Sequence, residues 1–170
     1  MTAHFVTAPA PELTNYHPKA QIRIEMSPQR FLENLGQAGQ FYPSRDVVDQ
    51  IKRRMAAGQE IDPLFIDYDP FWHRIVRHEG RHRALAAKEL GIDRIPVIVY
   101  FYDQKDWHDM QSPAGRVYDQ THYVSREELG EERINRIAER LGGERTYGLL
   151  RRPAQAGRRV SVRLHARGRR

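Results

Sequence analysis

Polar and apolar residues alternate from Gln21 to Met26 (QIRIEM), the period of a strand with one buried face. Ser27 and Pro28 then read as an N-cap followed by proline at the first helical position. Phe31, Leu32 and Leu35 fall at helical spacing, and Gly36 ends that helix. Ser44 opens a second helix with Val47, Val48, Ile51 and Met55 on one face and Gly58 as its stop. After Pro63, the run LFID predicts a strand, Asp67 to Pro70 a turn, and residues 73–78 (HRIVRH) another strand. RHRALAAKELG predicts a helix from near Arg81 to Gly91, because Ala, Leu and Lys are strong helix formers. Ile95 to Tyr102 (IPVIVYFY) is apolar enough for the centre of a sheet. A short helix is expected over 103–111 and irregular chain over 112–124. Ser125 to about Leu141 predicts one helix, opened by the Ser125–Glu128 capping box. Leu129, Ile134, Ile137 and Leu141 form its apolar stripe, and Gly142-Gly143 ends it.

This order predicts an α/β fold of mixed α+β character: a small mixed sheet flanked by helices, then a C-terminal helix and a basic tail. The expected divisions are an irregular lead-in over 1–20, a core domain over 21–110, a linker and helical extension over 111–148, and an arginine-rich tail over 149–170. The lead-in holds three of the ten prolines and has no clear period. No internal repeat is present.

A length of 170 residues suits one domain, and 39% apolar against 29% charged residues is polar but sufficient for one core. No window approaches 18 uncharged apolar residues, so no membrane span is expected. The N-terminus lacks the basic start and apolar run of a secretory signal. The absence of cysteine excludes a disulfide scaffold, thiolate metal sites and a cysteine nucleophile, and fits a cytoplasmic location.

The net charge of +6 is concentrated at one end. Residues 151–170 hold eight arginines and no acid: Arg151, Arg152, Arg158, Arg159, Arg163, Arg167, Arg169 and Arg170. The other 150 residues carry 20 basic and 22 acidic side chains, a net of −2. Such a tail is expected to be disordered when unbound and to bind nucleic-acid phosphate, with acidic protein surfaces and membranes as alternatives. Val160 to Leu164 alternates and can add a strand to a partner sheet.

Chemistry concentrates in Arg77-His78-Glu79-Gly80-Arg81-His82-Arg83, at an expected strand-to-helix junction. A helix starting near Arg81 presents unpaired amides beside Arg81, His82 and Arg83, an arrangement suited to phosphate. Gly80 permits the tight turn and close approach of a phosphate to the backbone. Basic side chains at a helix start each oppose the dipole by ~0.3–1 kcal/mol, which a bound anion offsets. In the alternative reading, Glu79 and Arg83 form an ion pair and bind nothing.

These residues resemble the ParB/sulfiredoxin superfamily. Glu79-Gly80-Arg81-His82-Arg83, the helix Ala84 to Leu90 with Gly91, and Ile95-Pro96-Val97-Ile98-Val99 are similar to its core turn, alanine-rich helix and following strand. Upstream, Ile22-Arg23-Ile24 with Ser27-Pro28, and then Gly58 to Asp67 (GQEIDPLFID), match in order, so the resemblance covers residues 21–102. It implies a ParB/sulfiredoxin-like domain of stand-alone type, with a phage or mobile element as its expected source. Within that superfamily, ParB proteins bind CTP and centromeric DNA, ParB-like nucleases cut DNA, free serine kinases use a nucleotide, and sulfiredoxins use ATP and a cysteine. Arg81 stands in that cysteine's place, which excludes sulfiredoxin chemistry. The 68 residues after Tyr102 hold one clear helix, so a complete chromosome-segregation ParB is not expected.

The resemblance therefore implies binding of a nucleotide (CTP or ATP) or of DNA phosphate at Gly80, Arg81, His82 and Arg83, with Mg²⁺ as a possible cofactor. If the protein is an enzyme, it implies a nuclease or nucleotide hydrolase using Glu79, His82 and Arg83, with Glu79 as base or as holder of a metal-bound water. The alternative is a non-enzymatic nucleic-acid-binding or phage-assembly accessory. No metal-ligand set is assigned and oligomeric state is left open.

His78 to His82 also spells H-E-x-x-H, which on a helix places two zinc ligands on one face. Gly80 inside the required turn and the strand-like HRIVR before it argue against this zinc-hydrolase reading. Asp67 and Asp69 either supply a divalent-ion carboxylate or, as favoured, solubilise a loop. Tyr100, Phe101 and Tyr102, with Phe71 and Trp72, either stack on bases or, as favoured, pack in the core or at its rim. Arg126, Arg133, Arg136 and Arg140 are balanced by five Glu in the last helix, which reads as solvated rather than as a DNA reader.

Overall fold

A computed structural model describes residues 5–7, 18–36, 43–103 and 123–146. A short 3₁₀ turn at Pro18–Ala20 leads into strand β1 (Gln21–Met26), whose residues alternate between half-buried and buried, as the sequence period predicts. Helix α1 (Pro28–Asn34) starts where Ser27 Oγ accepts the Arg30 amide at 3.1 Å. Helix α2 (Arg45–Ala56) buries Val48 and Met55. Strands β2 (Leu64–Asp69) and β3 (Arg74–Glu79) form a hairpin, then helix α3 (Arg81–Glu89) leads to strand β4 (Ile95–Phe101). Helices α4 (Arg126–Leu129) and α5 (Glu131–Leu141) and a short strand β5 (Glu144–Arg145) follow.

The five strands lie in the order β3-β2-β4-β1-β5, with β2–β4 parallel and the other pairs antiparallel. This is a mixed α/β fold with the sheet flanked by helices. Register decides which side chains meet: Ile24 and Leu64 both pair with Val97, and Ile22 and Ile66 with Val99. One face of the sheet thus presents a continuous apolar layer to Phe31, Val48, Met55, Ala84 and Ala87. Each fully buried large apolar side chain there contributes roughly 1.5–3 kcal/mol. Ala84, Ala86 and Ala87 are wholly buried, so α3 approaches its neighbours closely and larger residues would overpack it. The other face carries Phe65, Asp67 and Tyr100, with Tyr123 edge-on to Tyr100 at 6.1 Å.

The structure departs from the sequence expectations in several places. Strand β2 continues through Asp67 to Asp69, and the turn starts only at Pro70. The reason is pairing: Asp67 opposes Arg77 on β3 and Tyr100 on β4, with a bulge between Asp67 and Tyr68. The expected single C-terminal helix breaks at Gly130, whose φ of 76° and ψ of 149° lie outside the helical region. Ser125 Oγ accepts the Glu128 amide at 3.2 Å, so that cap belongs to α4. Within the lead-in expected to be irregular, Thr7 bridges Ile61. Strand β5 had no signal in the pattern, because two residues are too few to show a period. The helix expected over 103–111 falls almost wholly outside the described residues, and the eight tail arginines lie entirely outside them. No helix among the described residues is long and apolar enough to cross a membrane.

Candidate functional site

Strand β3 ends at Glu79 and α3 starts two residues later, so the whole turn hangs on Gly80. Its φ of 120° and ψ of 16° suit glycine alone. A Cβ on Gly80 would lie 2.4 Å from Leu64 Cγ. The glycine is thus required for packing α3 against the start of β2, independently of any ligand.

The first bond within α3 runs from the Ala84 amide to the Gly80 carbonyl at 2.8 Å. Gly80 supplies no side-chain cap, and the first turn contains no acid. The orphan amides at this start are therefore accompanied by Arg81, His82 and Arg83 rather than by a carboxylate.

Those three side chains have different tasks. Arg83 has a side chain only 14% exposed. One guanidinium nitrogen donates to the carbonyls of Asp62 at 2.8 Å and Pro63 at 3.0 Å, and another to Glu79 Oε1 at 3.1 Å. Burial pushes its pKa down, and Glu79 and then Asp62 oppose this. Arg83 therefore joins the loop before β2, the end of β3 and the start of α3. Glu79 is bonded to Arg83, while its side chain remains 65% exposed.

His82 Nε2 accepts the Ser44 backbone N–H at 3.2 Å. Because an amide can only donate, Nε2 is unprotonated in this bond and the ring proton sits on Nδ1. Arg81 donates to His78 Nε2 at 3.1 Å, since a guanidinium has no acceptor. Burial, and secondarily Arg81, lowers the His78 pKa.

One expectation agrees with this geometry and one is corrected by it. His78 lies on β3 and His82 on α3, with non-helical Gly80 between them, so the H-E-x-x-H pattern does not place both imidazoles on one helix face. Asp67 and Asp69 are buried rather than loop-solubilising. Asp67 Oδ2 accepts from Arg77 Nε at 2.7 Å, and Asp69 Oδ1 accepts the amides of Phe71 at 2.8 Å and Trp72 at 3.0 Å. Burial raises the Asp67 pKa, while Arg77 opposes that effect.

No family model matches the chain, and no curated protein does. Among solved structures, that of a Pnob8-like ParB-N domain is similar with 17% identity and a TM-score of 0.34. The match covers 71% of this chain and 46% of that one, so the aligned part spans under half of the solved chain. The functional reading therefore rests on the turn itself.

Sequence reasoning missed one member of that turn. Ser44 stood out only as the opening of α2, yet its amide meets His82 and its own side chain makes no cap bond. Behind this contact, Glu89 near the end of α3 binds Arg45 at 2.7 Å and Lys52 at 2.9 Å, both from α2. These bonds hold α2 against α3, whose starts meet at the Ser44–His82 contact. The Arg45 hydrogen bond, then that of Lys52, pulls the Glu89 pKa down to about 2. The aromatic residues divide: Tyr100, Phe101 and Tyr102 are buried, as favoured, whereas Phe71 and Trp72 are 43% and 66% exposed and are not core.

Proposed function

We propose that the start of α3, with the start of α2 beside it, binds phosphate of a nucleotide or of a nucleic-acid backbone. The observation that carries this reading is the Ser44–His82 bond, which joins two helix starts without side-chain caps. Both helix dipoles favour negative charge at that end; α2 carries Asp46 in its first turn, whereas α3 carries no acid there and adds Arg81. The resemblance of residues 79–99 to the ParB/sulfiredoxin superfamily supports the same ligand class.

The roles differ among the named residues. The first amides of α3 and the Arg81 guanidinium meet phosphate oxygens, and His82 fixes α2 in place. Gly80 and Arg83 shape the turn. The exposed carboxylate of Glu79 is the group that would meet Mg²⁺ brought by a nucleotide. Because Glu79 and Arg83 are bonded to each other, the reading is of binding first, with hydrolysis as a separate question. The arginines at 151–170 add affinity for nucleic acid that does not depend on sequence.

The test is a titration of CTP, ATP, GTP and duplex DNA, with Mg²⁺, on the wild type and Arg81→Glu. An acid in the first turn favours the helix dipole by ~0.3–1 kcal/mol while repelling phosphate. The expected result is nucleotide affinity at least about tenfold weaker, with melting of the unliganded variant reading separately the loss of the Arg81–His78 bond. Unchanged nucleotide affinity, or DNA binding alone that Arg81→Glu leaves intact, overturns the assignment to this turn. Released phosphate or cut DNA in the wild type, lost in Glu79→Gln, would add an enzymatic step.

A further inference from the structure

We propose that the cleft between the β2–β3 turn and α5 binds single-stranded nucleic acid, with a base stacked on Trp72 and phosphates held by Arg136 and Arg140. The cleft has a volume of about 390 Å³ and is lined by His73, Arg133, Arg136, Ile137 and Arg140. No lining residue is acidic, although five glutamates made the segment look balanced in sequence. Arg133, Arg136 and Arg140 are three and four residues apart and so share one face of α5. They extend about 10 Å along the helix. The five glutamates of the segment do not line the cleft, though the exposed Glu132 pairs with Arg136.

The turn that carries Trp72 borders the cleft through His73 and is fixed to α5. Asp69 bonds the Phe71 and Trp72 amides and holds the turn. His73 completes it with a φ of 53°, a conformation rare outside glycine. Arg133 donates to the Pro70 carbonyl at 3.1 Å and lies over the Phe71 ring at 5.0 Å, which locks the turn onto α5. Trp72 projects beyond this anchor, 66% exposed, with Arg74 over its ring at 5.9 Å. Tyr68, 2% exposed, lies near Arg140, which lines the cleft. Arg140 is close enough to that phenol to oppose the effect of its burial.

A large exposed indole on the turn that borders a cationic cleft suits a ligand that is both planar and anionic. Bases in a duplex are already stacked on one another, whereas those of a single strand are available to a protein ring. The cleft lies at the opposite end of β3 from Gly80, about 17 Å away along the strand. It is therefore separate from the α3 start, and this inference does not rest on the phosphate-turn reading.

The experiment is fluorescence anisotropy of a labelled oligothymidylate with the full chain, its Trp72→Ala variant and its Arg136→Ala/Arg140→Ala variant. Heparin serves as a base-free polyanion. Trp72→Ala is expected to weaken oligothymidylate about five-fold or more and to leave heparin unchanged. The double arginine variant is expected to flatten the slope of log affinity against log salt by about 1.4. In a Trp107→Phe background, oligothymidylate should quench Trp72 emission. Unchanged oligothymidylate affinity in both variants overturns the proposal and assigns strand binding to other residues. Loss of anionic-vesicle binding without loss of oligothymidylate binding also overturns it, in favour of a membrane surface.

Discussion

Gly80 and Leu64 meet so closely that no side chain fits between them. A Cβ would stand 2.4 Å from Leu64 Cγ, on a backbone with φ of 120°. Gly80→Ala is therefore expected to cost about 2–5 kcal/mol, combining backbone strain with overpacking. Leu64→Ala should recover part of that loss in the double variant, because it removes the Cγ contact but leaves Cβ at 3.0 Å and the strain. Urea denaturation of the two single variants and the double variant measures the coupling, and purely additive losses would contradict it.

Arg83 holds two carbonyls and a carboxylate from a side chain that is mostly buried. Arg83→Ala is expected to lower stability by about 1.5–3 kcal/mol with no ligand present. Arg83→Lys should recover little, since an ammonium cannot reproduce the fork. A melting curve equal to wild type for Arg83→Ala would show that the turn does not need this clamp. Arg81→Glu is the cleaner probe of phosphate binding for the same reason.

His78 is held below its ordinary pKa of 6.5, mainly by burial. A base whose folded pKa is depressed takes up its proton more readily in the unfolded chain. Its contribution to stability is present above pH 6.5 and is lost as pH falls through the lower folded pKa. His78→Gln keeps an acceptor for Arg81 but cannot titrate, so stability should decline less between neutral and mildly acidic pH. Parallel pH profiles of the two proteins would refute this.

Glu89 behaves in the opposite chemical sense but with the same pH direction. Its carboxyl is held at about 2, below the ordinary 4.5, by Arg45 and Lys52. The stabilisation is present above pH 4.5 and is lost as pH falls through about 2. The carboxyl carbon of Glu89, followed by NMR, should titrate near that lower value. Arg45→Gln should move the midpoint upward; titration at the ordinary carboxylate pH in the wild type would remove the link between α2 and α3.

Much of the fold was readable because its signals are local. Alternation in QIRIEM, the Ser27-Pro28 start and the apolar run from Ile95 each specify an element from neighbouring residues alone. Gly130 was harder: its effect on the C-terminal helix depends on a backbone conformation that glycine permits but does not require. Of the site, the junction at Glu79–Arg83 was legible as a charged turn after a strand. The distribution of labour within it was not, because Arg83 is bonded to carbonyls 20 and 21 residues away.

By itself, the sequence determined the order and type of most elements, the concentration of arginine at one end, and the absence of any thiol chemistry. Those properties follow from side-chain type and short-range spacing. Tertiary structure alone decided that Ser44 meets His82, that Asp67 and Asp69 are buried, and that Trp72 stands exposed on a turn anchored to α5 by Arg133. Each of these depends on strand register or helix packing between residues distant in the chain, and the period of a single segment carries no information about its partner.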